Sequence, residues 1–350
     1  MLSLSESYSH LPIESHSNTT QSIHKETSNA LKTLHTLKPQ TPQSTENLNS
    51  TKSNTFDKST NSPTKQQSSH LLTNTQTLSK LKKHNPSILN TIYKQIIKEE
   101  NLSFVYNRET PDLKRQKDIN EVHRGILIDW LINVHLYLQL TDETLFLTVK
   151  LIDIFLARVE NFPKNNLQLL GVSALLISSK YLETFHSTID SLSQLCDGAY
   201  SSKEIIQFET KLLNELNYTI VQDNLVNFYD LLSLIFNFDL DDYYLGKFLL
   251  EITLLDISFY KYKKTLLVFS VVYLVMKMNL SKHPDYKKCF FYLKDTECNE
   301  REMKSLGKKI LTLMDNVKGS PTFTSSYQKY LGRNKEKSKD GTMEDSVMEV

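Results

Sequence analysis

From Pro86 to about Val317, apolar residues recur every three or four positions with little interruption, and this pattern restricts the region to a helical fold. The whole chain contains only 8 glycines. No alternating apolar and polar run bounded by turn residues predicts a strand. Pro86 can open a first helix, which would turn one apolar face inward through Ile88, Ile92, Ile96 and Ile97. The sequence therefore predicts an all-α fold.

Five further helices are predicted in the first half of this region. The third is apolar or small almost all the way round from Leu169 to Ile177, which is typical of a helix surrounded by others. Gly171 would allow close helix approach. Ser201 and Glu204 have the spacing of a capping box at the start of the fifth helix. The five predicted ranges are Asn120–Gln139, Asp142–Arg158, 164–182, Ser191–Asp197 and 202–216.

The second half of the region repeats this arrangement. Its third helix, from Thr265 to Met278, is again the most apolar. Two successive five-helix units of about 100 residues each indicate an internal duplication of the fold. The predicted ranges are Asn224–Phe236, Tyr243–Asp256, Thr265–Met278, Asp285–Leu293 and Glu297–Asn316.

The two ends of the chain have a different composition. Ser, Thr, Asn and Gln make up about half of residues 1–85, and a segment without sustained apolar spacing cannot offset the entropy of ordering. We expect residues 1–85 to form a disordered regulatory tail and residues 319–350 to form a polar C-terminal tail. Ser62 precedes Pro63, and Lys65 follows two positions later, so Ser62 is a candidate site for a proline-directed kinase.

Charge and cysteine usage narrow the class of protein. Lys+Arg is 41 and Asp+Glu is 40, a formal net charge of +1, which predicts neither a nucleic-acid partner nor a membrane partner. The three cysteines do not have the spacing of a disulfide framework, and no cleavable signal or membrane span is predicted. A reducing compartment fits best, so we expect the nucleus and cytoplasm.

Three segments of the chain, at 123–131, 167–181 and 250–256, have signatures that resemble those of the cyclin family, and of its mitotic A and B types in particular, with B favoured. His123 to Leu131 is similar to the first-helix signature, usually Met-Arg-x-Ile-Leu-x-Asp-Trp-Leu. Residues 167–172 with 178–181 are similar to the third-helix signature, and Leu250 to Asp256 to a stretch of the second box. The resemblance spans about residues 88–330. It implies two tandem five-helix cyclin boxes, with an N-terminal helix and the first box at 86–221 and the second box at 222–318.

The resemblance also implies a function: the first box binds the regulatory helix of a cyclin-dependent Ser/Thr kinase and switches the kinase on in G2/M control, with no catalysis by this chain. The family's kinase-contacting lysine falls on Lys180 and its glutamate on Glu209. Charged hydrogen bonds to a partner backbone are worth about 1.5–3 kcal/mol each. The apolar contacts fall on Ile177, Tyr181, Leu213, Tyr218 and Ile220. Helical spacing alone also allows Lys180 and Glu209 to be solvated surface residues, and Ile177 and Leu213 to be core.

A second surface of the family recruits substrates through short Arg-x-Leu peptides. Its positions fall here on His123, Ile126, Leu127, Trp130, Asn133, Gln168 and Asp197. His123 stands where Met is usual, and Asn133 stands where a Glu usually pairs with the arginine of the peptide. Loss of that carboxylate removes a charge-assisted bond, so we expect altered or weaker selectivity. Trp130 could instead be a core residue.

Other functional classes have weaker support in the sequence. There is no glycine-rich phosphate loop, nucleophile elbow or zinc-ligand spacing, so we expect no enzyme activity, cofactor or metal. Cys289, Cys298 and His283 lack a second ligand pair. A transcription factor of the duplicated cyclin-like fold would predict a strongly basic box, and a cyclin of a transcriptional kinase would lack the Arg124 to Trp130 signature.

Overall fold

The computed structural model describes residues 86–106, 113–220 and 225–330, with the side chains of 89–98 and 100 in the first range. Residues 1–85, with Ser62, lie outside these ranges. The described residues form eleven α-helices and a further helical segment at 325–330, and they contain no strand, which confirms the all-α prediction. The helices are α1 Pro86–Tyr106, α2 Glu121–Tyr137, α3 Asp142–Arg158, α4 Leu167–Leu182, α5 Ile189–Leu195, α6 Ser202–Glu215, α7 Leu225–Ile235, α8 Leu240–Ile252, α9 Lys264–Met278, α10 Lys288–Leu293 and α11 Glu300–Gly319.

Helices α2 to α6 form the first five-helix unit, with α4 at its centre. α4 packs against α2, α3, α5 and α6, and every residue from Leu167 to Ser179 is buried. At Gly171 an added methyl group would come within 2.8 Å of Leu127 Cδ1, so the glycine permits the close approach of α2 and α4. The predicted capping box is present, because Ser201 accepts the Glu204 amide and Glu204 accepts from Ser201. The first unit is therefore assembled around one buried helix, as its composition predicts.

Helices α7 to α11 repeat the arrangement around α9. α9 packs against α7, α8, α10 and α11, and the residues from Thr265 to Met276 are buried. α1 packs on this second unit, where it contacts α7 and α9. Tyr93, fully buried on α1, donates a hydrogen bond to the Tyr292 carbonyl at 2.6 Å. The expected inward face of α1 was wrong at Ile92, which is exposed, because the adjacent Tyr93 takes the inward position with Ile97.

A buried arginine connects the two units. The Arg124 guanidinium donates to both carboxylate oxygens of Asp153 at 2.6 and 2.7 Å, joining α2 to α3. It also donates to the Leu254 carbonyl of the second unit at 2.8 Å. Arg124 and Asp153 are almost completely buried, so either charge left alone would be costly to hold in the core.

The expected polar tail from residue 319 was wrong for its first part. Residues 320–330, here called the C-terminal strap, are folded, and 325–330 are helical. Ser325, Ser326 and Lys329 are buried. The composition is misleading because the Ser325 and Lys329 side chains bond to the buried carboxylates of Asp129 and Glu251. Residues 331–350 lie outside the described ranges.

Candidate functional site

Lys180 and Glu209 form an ion pair on the surface of the first unit. Lys180 lies near the end of α4 and Glu209 in the middle of α6, and these two helices pack together. The Lys180 ammonium donates to both oxygens of the Glu209 carboxylate at 2.7 and 2.9 Å. The side chains are 39% and 12% exposed. An exposed pair of this kind contributes only about 0–1 kcal/mol to stability, so its hydrogen-bonding groups can be redirected to a partner at little cost.

The other residues predicted for this surface differ widely in exposure. Tyr181 and Tyr218 are 52% and 65% exposed. Leu213 and Ile220 are half-buried, whereas Ile177 is buried below them. Ile177 therefore supports the surface from the core, and the two tyrosines offer the accessible apolar area. We call the set Ile177, Lys180, Tyr181, Glu209, Leu213, Tyr218 and Ile220 the α4–α6 surface.

Tyr218 has a backbone conformation that a tyrosine rarely adopts. Asn217 and Tyr218 both have positive φ, 50° and 54°, immediately after α6. The left-handed conformation costs an L-residue roughly 1–2 kcal/mol. It is held here because the Tyr218 amide donates to the Leu213 carbonyl at 2.9 Å. Strain of this kind, next to an exposed aromatic side chain, is typical of a binding site.

Two exposed apolar residues near this surface were not predicted from the sequence. Phe185 follows the end of α4 and is 90% exposed. Ile206, three residues before Glu209 on α6, is also exposed. The available signal was the isolated phenylalanine in the polar run after Leu182, which has no helical partner that would bury it. Exposed apolar groups around a charged pair are typical of an interface with another protein.

The second predicted patch lies on α2, on the start of α4 and after α5. Leu127 is fully buried against Gly171, so it belongs to the core. Ile126, Trp130 and Gln168 are also largely buried. Asp197 is exposed, with a positive φ of 52°. The structure thus places most of this patch at the base of the surface rather than on it.

Two residues of the patch have roles within the chain. His123 completes the capping box of α2 with the N-cap residue Asn120, because its amide donates to Asn120 Oδ1 at 3.0 Å and its Nδ1 accepts the Asn120 amide at 3.3 Å. Asn133 donates to Ser325 Oγ at 2.6 Å and so contacts the C-terminal strap. In contrast, Trp130 Nε1 and Gln168 Nε2 are buried without an acceptor among the described residues. A buried unpaired donor is costly, and a peptide carbonyl would satisfy it.

The described residues also bear on metal binding, thiol reactivity and membrane insertion. They contain no group of three or more His, Cys, Asp or Glu side chains placed to hold a metal ion. Burial raises the pKa of the Cys196 and Cys289 thiols to about 12, so both are protonated at neutral pH. Among the helices that the structure describes, none is both long and apolar enough to span a membrane.

The fold defines a class: an all-α protein with two successive five-helix units. Residues 91–221 match the family described as "Cyclin, N-terminal domain", and residues 226–342 match "Cyclin, C-terminal domain". The chain belongs to the cyclin family. The structure of a viral cyclin from herpesvirus saimiri has a similar fold, with a TM-score of 0.57 and 17% identity over 66% of this chain and 99% of that chain.

Similar curated proteins are B-type cyclins. The chain is 33% identical over 215 residues to cyclin-B2-2 of Oryza sativa subsp. indica, covering 61% of this chain and 50% of the relative. It is 40% identical over 165 residues to the G2/mitotic-specific cyclin-B of Emericella nidulans, covering 47% and 34%. It is 30% identical over 247 residues to the G2/mitotic-specific cyclin-B2 of Bos taurus, covering 70% and 61%. The chain thus spans about a third to three fifths of the length of these relatives.

Proposed function

We propose that this chain is a non-catalytic subunit that binds a cyclin-dependent Ser/Thr kinase and activates it in G2/M control. The observation that carries the proposal is the Lys180–Glu209 pair, flanked by the exposed Tyr181 and Tyr218. The names of the B-type relatives favour this function over a cyclin-fold transcription factor or a transcriptional-kinase cyclin.

The geometry suits a helix as partner. A cation and an anion 2.7 Å apart can each turn to a backbone group of a docked segment, the ammonium to a carbonyl and the carboxylate to an amide. Tyr181, Leu213 and Tyr218 would exclude water around these bonds and supply most of the affinity. The packing of α4 on α6 fixes the two helices that carry the charged side chains before the partner arrives, which lowers the entropic cost of binding.

Activation then follows from selective binding. Kinase catalysis needs a Lys–Glu ion pair between a strand and the regulatory helix. A subunit that binds only the helix-in state shifts the kinase population toward that state by its difference in affinity. No residue of this chain needs to contact ATP in this mechanism.

We also propose that substrates with Arg-x-Leu peptides dock near Trp130 and Gln168. The unpaired Nε1 and Nε2 groups support this proposal, because a peptide backbone could accept from them once the side chains that cover them move aside. Asn133 carries no charge and already bonds to Ser325. The arginine of a peptide would therefore depend on the exposed Asp197 for an anion.

The proposed function is tested by co-purifying the chain with its kinase and assaying phosphorylation of a histone-type substrate. The Lys180→Ala/Glu209→Ala variant should lose most of both partner retention and activity. A matched control is Asp285→Ala/Lys288→Ala, which removes an exposed ion pair of 2.8 Å on the second unit. Retained binding and activity in the first variant would remove the α4–α6 surface from the proposal.

A further inference from the structure

The C-terminal strap, residues 320–330, is bonded to the first unit. The Ser325 amide and hydroxyl donate to the two carboxylate oxygens of Asp129 at 3.0 and 2.6 Å. The Phe323 ring lies against Gly125, where an added methyl group would come within 2.9 Å of it. Asp129 and Ser325 are buried, so these contacts are protected from water.

The same strap is bonded to the second unit. The buried Lys329 ammonium donates to Glu251 on α8 and, at 3.3 Å, to Asp142 on α3. The ring of Tyr330 packs against Phe248, also on α8, with centroids 5.6 Å apart. The strap therefore contacts both five-helix units. A change that stabilises its first residues would also stabilise its contacts with each unit.

The strap starts at Ser320, which has a geometry suited to modification. Ser320 precedes Pro321, and this is the one Ser-Pro or Thr-Pro dipeptide within the residues that the structure describes. Its φ of −83° and ψ of 129° are extended, the conformation favoured before proline. Ser320 is half-buried and Pro321 is exposed. The Ser320 hydroxyl oxygen accepts the amides of Thr322 and Phe323, both at 3.1 Å.

We propose that Ser320 is a phosphorylation site for a proline-directed kinase, and that its phosphate stabilises the start of the C-terminal strap. The proposal rests on the proposed function in naming the bound kinase as the enzyme. The γ-phosphoryl group of MgATP is transferred to Ser320 Oγ. An O–P bond forms there, the bond to the β-phosphate bridging oxygen breaks, ADP leaves, and the hydroxyl proton passes to a base of the kinase.

A phosphate on Ser320 would stabilise the strap through the two backbone amides that donate to Ser320 Oγ. A phosphate carries about −1.5 to −2 charges and offers three strong acceptor oxygens. Bonds from the Thr322 and Phe323 amides to such an anion are about twice as strong as bonds to a neutral hydroxyl. Ser320 is the C-cap of α11, so the negative end of that helix opposes the anion, and the bonds from the two amides must outweigh this repulsion. We therefore expect the modified strap to open less often.

The experiment incubates the full chain, co-purified with its kinase, with MgATP, and maps phosphoserine by mass spectrometry. A parallel sample receives an unrelated proline-directed kinase. Two variants report on recognition: Ser320→Ala removes the acceptor oxygen, and Pro321→Ala keeps it but removes the proline. Ser62→Ala serves as a control for modification elsewhere. Hydrogen exchange at the Ser325 amide, which is bonded to Asp129, reports on strap opening.

The expected result is phosphate on Ser320 that is lost in both variants and retained in Ser62→Ala. Exchange at the Ser325 amide should slow by about fivefold on modification, as a net gain of one hydrogen bond would give. An active complex that leaves Ser320 unmodified, with no modification by the second kinase either, would overturn the proposal. If Ser320 is phosphorylated but hydrogen exchange at the Ser325 amide is unchanged or faster, the phosphate does not stabilise the strap, and that part of the proposal is overturned. If the chain retains no kinase, the proposed function fails, and the second kinase alone decides whether Ser320 is a site.

Discussion

The ammonium of Lys180 lies 2.7 and 2.9 Å from the two carboxylate oxygens of Glu209, across the contact between α4 and α6. The pair is partly exposed, and the aromatic side chains of Tyr181 and Tyr218 remain largely in solvent. A pair of this exposure adds little to stability. Its position on a surface with exposed aromatic groups supports the proposal that the pair binds a partner.

Tyr218 should show opposite effects on stability and on binding. Tyr218→Gly removes the strain of a positive φ and should raise the free energy of unfolding by about 1 kcal/mol, because the side chain is mostly exposed. It should also weaken kinase binding by about tenfold, since an aromatic anchor is lost. Urea unfolding and titration with the kinase measure the two effects. Asn217→Gly, with a similar φ, is the control and should leave affinity unchanged; a stability loss in Tyr218→Gly would contradict the strain argument.

Lys329 should be essential for the stability of the folded chain. Its ammonium is buried with the Glu251 carboxylate, and removing one partner of a buried pair typically costs about 3–5 kcal/mol. Lys329→Met should therefore lower the free energy of unfolding by about that amount. Lys329→Met/Glu251→Leu should recover much of the loss, because no charge is then left unpaired. Gln328→Met, at an exposed position, should have little effect, and an equally mild result for Lys329→Met would refute the prediction.

His135 should make stability depend on pH. Burial and the nearby Lys329 charge lower the pKa of His135 below its ordinary 6.5, although Asp142 and Glu251 act in the opposite direction. Below pH 6.5 the unfolded chain therefore binds the proton more readily, so this contribution to stability is present above that pH and is lost as the pH falls. The loss can reach about 1.4 kcal/mol per pH unit.

Urea unfolding at pH 7.5, 6.5 and 5.5 measures this dependence. His135→Gln should have a shallower loss of stability between pH 6.5 and 5.5 than the unmodified chain. His186→Gln, at an exposed position, is the matched control and should keep the steeper loss. Parallel curves for His135→Gln and the unmodified chain would exclude His135 as the source.

Gly246 should tolerate no side chain. A methyl group there would lie 1.9 Å from the Tyr229 hydroxyl oxygen, and that hydroxyl is fixed by its bond to the Tyr243 carbonyl at 3.0 Å. Gly246→Ala should therefore destabilise the second unit by about 1–3 kcal/mol, as overpacking of a core does. Gly307→Ala on α11 meets only an ordinary 3.5 Å contact with Leu274 and should be neutral or stabilising. Thermal unfolding compares the two, and an unchanged midpoint for Gly246→Ala would contradict the geometry.

Much of the fold could be predicted from the sequence because the two central helices are apolar almost all the way round. A helix such as 167–182 has no polar face to expose, so it must be surrounded. The capping box at Ser201 likewise set the start of α6. The C-terminal strap could not be predicted in this way. Its Ser325 and Lys329 are polar, and only the distant Asp129 and Glu251 explain why they are buried.

Less of the candidate site could be predicted from the sequence. The spacing of residues 177, 180 and 181 put them near one another on a helix, but it could not show that Ile177 is buried while Tyr181 is exposed. Phe185 and Ile206 have no motif, and their exposure depends on how α4 and α6 pack. In the second patch, the bond between Asn133 and Ser325 joins residues 192 positions apart, which no local pattern can reveal.

The most direct test of the central claim exchanges the two charges. Lys180→Glu/Glu209→Lys keeps an ion pair between α4 and α6 but presents the opposite polarity to a partner. The variant should unfold within about 1 kcal/mol of the unmodified chain. Its kinase affinity should fall at least tenfold, as expected when charged hydrogen bonds are lost. Equal kinase affinity for the exchanged and unmodified chains would contradict the claim that this pair forms the binding site.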